Sequence, residues 1–145
     1  ELRTLIEQQA LAFAVASVDS ATIDEINILN ASFMAMHNAL DQLNQKFELI
    51  LVDGNRFKPY KNIPHHTIIQ GDGKYMSIAA ASILAKTYRD EYMEQQHLLY
   101  PQYDWLSNKG YGVQKHREAM RQHGQSPLHR KSFVLKESQM ELFKK

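Results

Sequence analysis

Two aspartates, Asp53 and Asp72, stand 19 positions apart, each closing a short apolar run. The first ends Glu48-Leu49-Ile50-Leu51-Val52-Asp53-Gly54-Asn55, and the second lies between glycines after His66-Thr67-Ile68-Ile69. Open α/β sheets collect their sites where strands end, so the two carboxylates converge at one sheet edge. At short range they repel unless a cation lies between them, and magnesium, which prefers oxygen ligands and keeps waters for a phosphate substrate, suits such a pair. The same residues also serve as plain turn and cap residues. Glycine eases a tight turn, and a carboxylate is favoured beside the unpaired N–H groups of a helix start. The pair alone leaves both readings open. The 7 histidines are no rival metal site: His65-His66, His116, His123 and His129 lack ligand spacing.

Lys109-Gly110-Tyr111-Gly112 is the second chemically suggestive stretch. A tyrosine between glycines in a basic loop is placed to offer its ring to a sugar or base, and stacking with 2′-OH contact is how proteins tell RNA from DNA. The alternative is a loop whose tyrosine covers the edge of a core.

These residues need elements to hold them. Leu2 to Ala10 has a helical pattern, and Leu11-Ala12-Phe13-Ala14-Val15-Ala16-Ser17-Val18 is an apolar run of strand length, suited to burial on both faces. Thr22 with Glu25 fits a capping box opening a helix to about Leu43, with Ile26, Leu29, Phe33, Met36 and Leu40 at helical spacing. Phe47 to Val52 and His66 to Ile69 predict further strands. From Met76 to Tyr100, stopped by Pro101, runs a long helix whose first turns are apolar nearly all round, as deep packing on a sheet requires. Lys86 and Asp90 form an i,i+4 pair on it. A short helix begins near Val113 and carries His116, Arg117 and Met120. Strands alternating with helices predict an α/β fold.

A length of 145 residues suits one domain, and the absence of cysteine suits a reducing cytoplasm. No apolar run approaches a membrane span or a signal peptide. The net charge of +1 hides an asymmetry: residues 1–55 sum to −6 and residues 56–145 to +7. The second part can meet a polyanion, although uneven solvated charge explains the same balance. The opening Glu1-Leu2-Arg3 reads as the middle of a helix, with sequence expected upstream of it.

Taken together, Asp24-Glu25-Ile26-Asn27-Ile28-Leu29, Val52-Asp53-Gly54-Asn55-Arg56, Gly71-Asp72, Ser77-Ile78-Ala79-Ala80-Ala81-Ser82-Ile83-Leu84-Ala85-Lys86 with Arg89-Asp90, Lys109-Gly110-Tyr111-Gly112, and Ser126-Pro127 with His129-Arg130-Lys131-Ser132-Phe133 resemble ribonuclease HII in order and spacing. The resemblance implies a ribonuclease H-like fold, a sheet flanked by helices with a C-terminal helical and basic extension. It implies cleavage of RNA in RNA–DNA hybrids and of single ribonucleotides in duplex DNA by Mg²⁺- or Mn²⁺-assisted hydrolysis. Asp53 matches the third family carboxylate and Asp72 the fourth, which makes both catalytic and metal-binding. Tyr111 matches the tyrosine that senses the ribose at the RNA-to-DNA junction, with Lys109, Gly110, Asn27 and Arg130 as further candidates for nucleic-acid contact. Whether Asn27, Lys86 and Arg130 touch substrate or support the fold stays open.

The first two family carboxylates, an adjacent Asp-Glu in an Asp-Glu-Ala-Gly-Arg-Gly motif, have no counterpart here. The resemblance therefore implies that the first strands are absent from this chain and that it is inactive as written, with an open sheet edge inviting self-association. Residues 1–135 form the catalytic-type domain and 136–145 a charged tail. Within it Gln139-Met140-Glu141-Leu142-Phe143 resembles clamp-docking peptides of bacterial replication proteins, with Gln139, Leu142 and Phe143 as anchors; a frayed last helix is the alternative. A non-catalytic nucleic-acid or clamp-binding fragment is the competing function.

Overall fold

The computed structural model describes residues 1–133. Helix α1 (Leu2–Gln9) leads without a strand into α2 (Ser20–Gln42), followed by β1 (Ile50–Asp53), β2 (His65–Ile68), a 3₁₀ turn (Gly71–Gly73), α3 (Met76–Leu99), a second 3₁₀ turn (Pro101–Tyr103), α4 (Trp105–Asn108) and α5 (Gln114–His123). β1 and β2 pair in parallel, Ile50 opposite His65 and Asp53 opposite Ile68. This is a mixed α/β arrangement with a small parallel sheet flanked by helices.

The run from Leu11 to Val18 forms no strand among the described residues, which corrects the sequence reading. Apolar character sets only a preference for burial, whereas a strand also needs a neighbour to take its N–H and C=O groups. No such neighbour lies alongside among the described residues, and Leu11 is 97% exposed.

Helix α2 starts earlier than the predicted capping box. Asp19 is its cap, accepting from the Thr22 N–H at 2.8 Å. The helix is also broken at Asn27, where φ is +66°. The Asn27 Oδ1 accepts from the N–H groups of Leu29 and Asn30 at 3.0 and 3.1 Å, so Asn27 caps the second segment and re-aims it. That segment lays Leu40 against a core of Ile50, Val52 and Tyr60, joined by Phe47, Phe57 and Ile63. His37 packs edge-on to Phe57 and Tyr60, while the Tyr60 hydroxyl donates to Asp41 at 2.7 Å.

Helix α3 is not enclosed all round. Ile78 and Leu84 are its buried residues, whereas Met76 at its start stays 89% exposed. A sheet of two strands covers one face of a helix only. Asp90 lies 3.9 Å from Arg89, in place of the expected pair with Lys86. Beside its middle, α1 docks by charge and ring contact: the Arg3 guanidinium lies over the Tyr88 ring and bonds Glu7 and Glu91. The C-terminal end of α3 meets a second core of Tyr103, Trp105 and Ala119 with Met93, Tyr100, Met120 and Leu128.

Candidate active site and nucleic-acid interface

Asp53 is the last residue of β1, one position earlier than a post-strand turn. Alternation along the strand buries Ile50 and Val52 and turns Asp53 outward to solvent. The parallel partner then delivers the next turn beside it. The Asp53 Oδ1 accepts from the Gly71 N–H at 2.8 Å, and Asp72 follows directly. Gly71 is buried and has no room for a side chain: a Cβ there would meet Ile78 Cδ1 at 2.7 Å and Asp53 Oδ1 at 3.4 Å. Glycine is thus required for close approach rather than for backbone torsion. The exposed Asp72 turns its Oδ1 to the Gly73 N–H at 2.9 Å. Lys74, the nearest cation in sequence, is tied to the Ile69 carbonyl at 2.8 Å.

The sheet therefore brings the two sequence-predicted carboxylates to one edge. Their hard oxygens fit magnesium or manganese. Two donors do not enclose an ion, and among the described residues no group of three or more acidic, histidine or cysteine side chains converges.

The tyrosine loop is built differently. Trp105 and Tyr103, both 2% exposed, stack with ring centroids 5.1 Å apart at the foot of α4. From this base Asn108, itself buried, donates through Nδ2 to the Tyr103 carbonyl at 2.7 Å and accepts from the Gly110 N–H at 2.8 Å. Lys109 and Gly110 both adopt positive φ, +48° and +79°, which reverses the chain. Tyr111 emerges 62% exposed, with the Arg89 guanidinium 4.8 Å from its ring centre. Lys109 pairs with Glu94 of α3.

Arg130 belongs to a third group. Its segment is bound to α2 through Asp24, which accepts from the Lys131 N–H at 2.6 Å and from the N–H and hydroxyl of Ser132. The Ser132 hydroxyl, with Arg130 and the two N–H donors, holds the Asp24 carboxyl below the usual range. Arg130 itself lies over the Phe133 ring at 4.7 Å. Asn27 is three residues beyond Asp24 and exposed, but its side-chain oxygen is spent on the helix cap.

The segment is anchored at its other end by histidines. The Ser126 N–H donates to His129 Nδ1 at 2.9 Å, His129 Nε2 meets His116 Nε2 at 3.3 Å, and His116 Nδ1 meets the Tyr103 carbonyl at 3.4 Å. One set of neutral tautomers satisfies this chain: His129 protonated on Nε2 and His116 on Nδ1. Burial lowers both pKa values, and His116 lowers that of His129 further.

Sequence reasoning missed Asn108, Arg89 and Asp24 as organising residues. An asparagine just before a Lys-Gly turn was the available signal for Asn108. Gln139, Leu142 and Phe143 lie outside the described residues. No described helix is long and apolar enough to cross a membrane.

Comparison with known proteins accounts for this arrangement. The family model for ribonuclease HII matches residues 1–136. Ribonuclease HII of Phocaeicola vulgatus is 61% identical over 134 residues, 92% of this chain and 67% of that protein. The corresponding protein of Parabacteroides distasonis is 58% identical over 142 residues, 98% of this chain and 71% of the relative. That of Bacteroides fragilis is 58% identical over 145 residues, covering 99% and 72%. With a match along nearly its whole length, the chain belongs to the ribonuclease HII family, hydrolases of the ribonuclease H type.

Proposed function

We propose that the chain supplies half of the catalytic carboxylates and the ribose-sensing loop of an endoribonuclease that cuts RNA in RNA–DNA hybrids and at single ribonucleotides in duplex DNA. The observation that supports this reading is the bond from the Gly71 N–H to Asp53, which ties the end of β1 to the turn that carries Asp72. Asp53 and Asp72 would hold Mg²⁺ or Mn²⁺. Held there, the ion would supply Lewis-acid chemistry, to lower the pKa of a water and to offset charge on the leaving 3′-oxygen of the scissile phosphodiester.

The chain's own residues do the rest. The Gly71 N–H takes one oxygen of Asp53, so the carboxylate presents its other oxygen in a fixed direction. Tyr111 offers an exposed ring and reads the sugar at the RNA-to-DNA junction, as Gly110 and Arg130 approach the backbone and Lys109 joins them by leaving Glu94. Helix α3 ties the two regions together, with about 20 Å of rigid helix between Met76 and Arg89. Residues 1–135 form this catalytic-type unit. Asp53 and Asp72 without an adjacent Asp-Glu pair hold metal weakly, and the 145 residues by themselves do not cut.

The test is magnesium-dependent cleavage of a duplex carrying one ribonucleotide, comparing these 145 residues with a version extended upstream by a relative's Asp-Glu strand. Cleavage only by the extended protein, lost on Asp53→Asn, supports the assignment. Cleavage by the 145 residues overturns their inactivity, and binding by both without cleavage favours a non-catalytic nucleic-acid module. Clamp docking through Gln139, Leu142 and Phe143 is a separate proposal, and binding to purified sliding clamp that survives Leu142→Ala with Phe143→Ala overturns it.

A further inference from the structure

Tyr111 is 62% exposed on a loop flanked by glycines, yet the backbone beneath it has no slack. The Val113 N–H closes the far side of the loop on the Tyr111 carbonyl at 2.8 Å, and one buried side chain ties the near side. Asn108 is 8% exposed, and both ends of its amide are occupied within the loop's own base: Nδ2 donates to the Tyr103 carbonyl at 2.7 Å, Oδ1 accepts from the Gly110 N–H at 2.8 Å. Its main-chain oxygen accepts from the Tyr111 N–H, also at 2.8 Å. Residues on both sides of the turn are therefore tied to one amide, and that amide to the Tyr103–Trp105 stack.

The neighbouring groups do not replace it. Lys109 reaches away to Glu94, and its positive φ is a strained choice for a residue with a Cβ. Gly110 combines φ +79° with a tight approach, because a Cβ there would lie 3.1 Å from Met93 Cε and 3.6 Å from Arg89 Nη2. The bare glycine spares a tight contact with Met93, its φ of +79° suits glycine, and its N–H is held by Asn108, beside the Arg89 guanidinium over the Tyr111 ring.

We propose that Asn108 is the positioning residue for Tyr111: it pre-orders the loop so that the ring meets a ribose without first losing backbone freedom. This rests on the reading of Tyr111 as the ribose-sensing residue. A loop ordered in advance binds more tightly than one that orders on contact. Loss of Asn108 therefore weakens discrimination between ribose and deoxyribose more than general affinity for a duplex, which phosphate contacts dominate.

The experiment measures binding of the 145-residue chain, in EDTA, to a duplex with one ribonucleotide and to the all-DNA duplex of the same sequence. Amide hydrogen exchange at Gly110 and Tyr111 is followed in parallel. The wild-type chain is expected to favour the ribonucleotide duplex by up to about tenfold, the worth of one net hydrogen bond. Tyr111→Ala removes the preference. Asn108→Ala removes most of it and accelerates exchange at Gly110 and Tyr111, with all-DNA affinity unchanged. Asn108→Ser, whose neutral hydroxyl can serve the Gly110 N–H or the Tyr103 carbonyl but not both, restores part of both, and it decides the question if the alanine variant fails to fold. Full discrimination by a folded Asn108→Ala chain overturns the positioning role and leaves the Tyr111 reading intact. A wild-type chain with no preference overturns the Tyr111 reading and the positioning role with it, whatever the exchange data.

Discussion

The two ends of α3 carry the two halves of the proposed chemistry and are built to opposite rules. At its start, Asp53 and Asp72 rest on two short strands, one hydrogen bond to Gly71 and a packing gap too small for a methyl group. Near its other end, Tyr111 stands on a buried stack of Tyr103 and Trp105, closed by Asn108, His116 and His129. Metal ligands gain from exposed oxygens, and here one oxygen of Asp53 is fixed by the Gly71 N–H while the other faces solvent. A ring that reads a sugar gains from a base that does not move. The difference is one of construction: the tyrosine loop draws its order from a buried aromatic base, and the carboxylate edge from close backbone approach.

The strongest way to break this contrast is to hollow out the rigid end. Trp105→Ala deletes an indole that is 2% exposed and leaves a cavity among Tyr100, Tyr103 and His129. A loss of about 3–5 kcal/mol is expected, measured as a lowered denaturant midpoint. A shift below about 1 kcal/mol would mean that this end is not the packed one. The carboxylate edge is tested by Gly71→Ala, whose new methyl would sit 2.7 Å from Ile78 Cδ1. Overpacking of this kind costs about 1–3 kcal/mol. Ile78→Val removes the opposing atom, so the double variant should recover much of the loss, and strict additivity would show that the clash lies elsewhere.

Acid should loosen the rigid end first. His116 and His129 have pKa values below the ordinary 6.5, chiefly through burial, so the unfolded chain takes up protons before the folded one. Their contribution to stability is complete above that value and falls as pH drops below it. A proton on His129 Nδ1 would also face the Ser126 N–H, and one on His116 Nε2 would face the N–H of His129. The carboxylates held below their usual values, Asp19, Asp24, Asp41 and Glu7, lose their contribution only at lower pH, below about 4. Melting temperature measured from pH 8 to pH 4 should therefore decline in the histidine window, and His116→Gln should flatten that decline. An unchanged profile in the variant would remove the histidine pair from the account.

Much of this was legible in the sequence where one local pattern sufficed. The apolar runs before Asp53 and Asp72 marked both strands, and Pro101 marked the end of α3. What escaped depended on partners far along the chain. Leu11 to Val18 has strand composition, but a strand is a relation between two segments, and none pairs with it among the described residues. His116 and His129 are 13 positions apart with no motif spacing, and only the Tyr103–Trp105 stack brings them together. Asp24 finds Lys131 and Ser132 more than 100 residues away. Helical spacing from Ile26 to Leu40 ran straight through Asn27, because apolar periodicity reports the buried face and is silent about one residue with φ of +66°.

That residue supplies the smallest effect and the finest distinction between the two regions. Asn27 does two things at once: it takes a positive φ, which asparagine tolerates better than most residues, and it caps the segment from Ile28 onward. Asn27→Ala loses both and should cost about 1 kcal/mol, whereas Asn27→Gly keeps the torsion and should cost only a few tenths. If Asn27 acts through the cap alone, both variants bind the ribonucleotide duplex as the wild type does once stability is allowed for, and melting temperature carries the whole difference. If its amide also reaches the backbone of a nucleic acid, Asn27→Gly binds more weakly despite near-normal stability. The side-chain oxygen is committed to two N–H donors while the Nδ2 donors face solvent, so the binding of Asn27→Gly separates the two roles. Equal binding by Asn27→Gly and the wild type would assign the asparagine to helix re-aiming, and weaker binding would assign it to substrate contact as well.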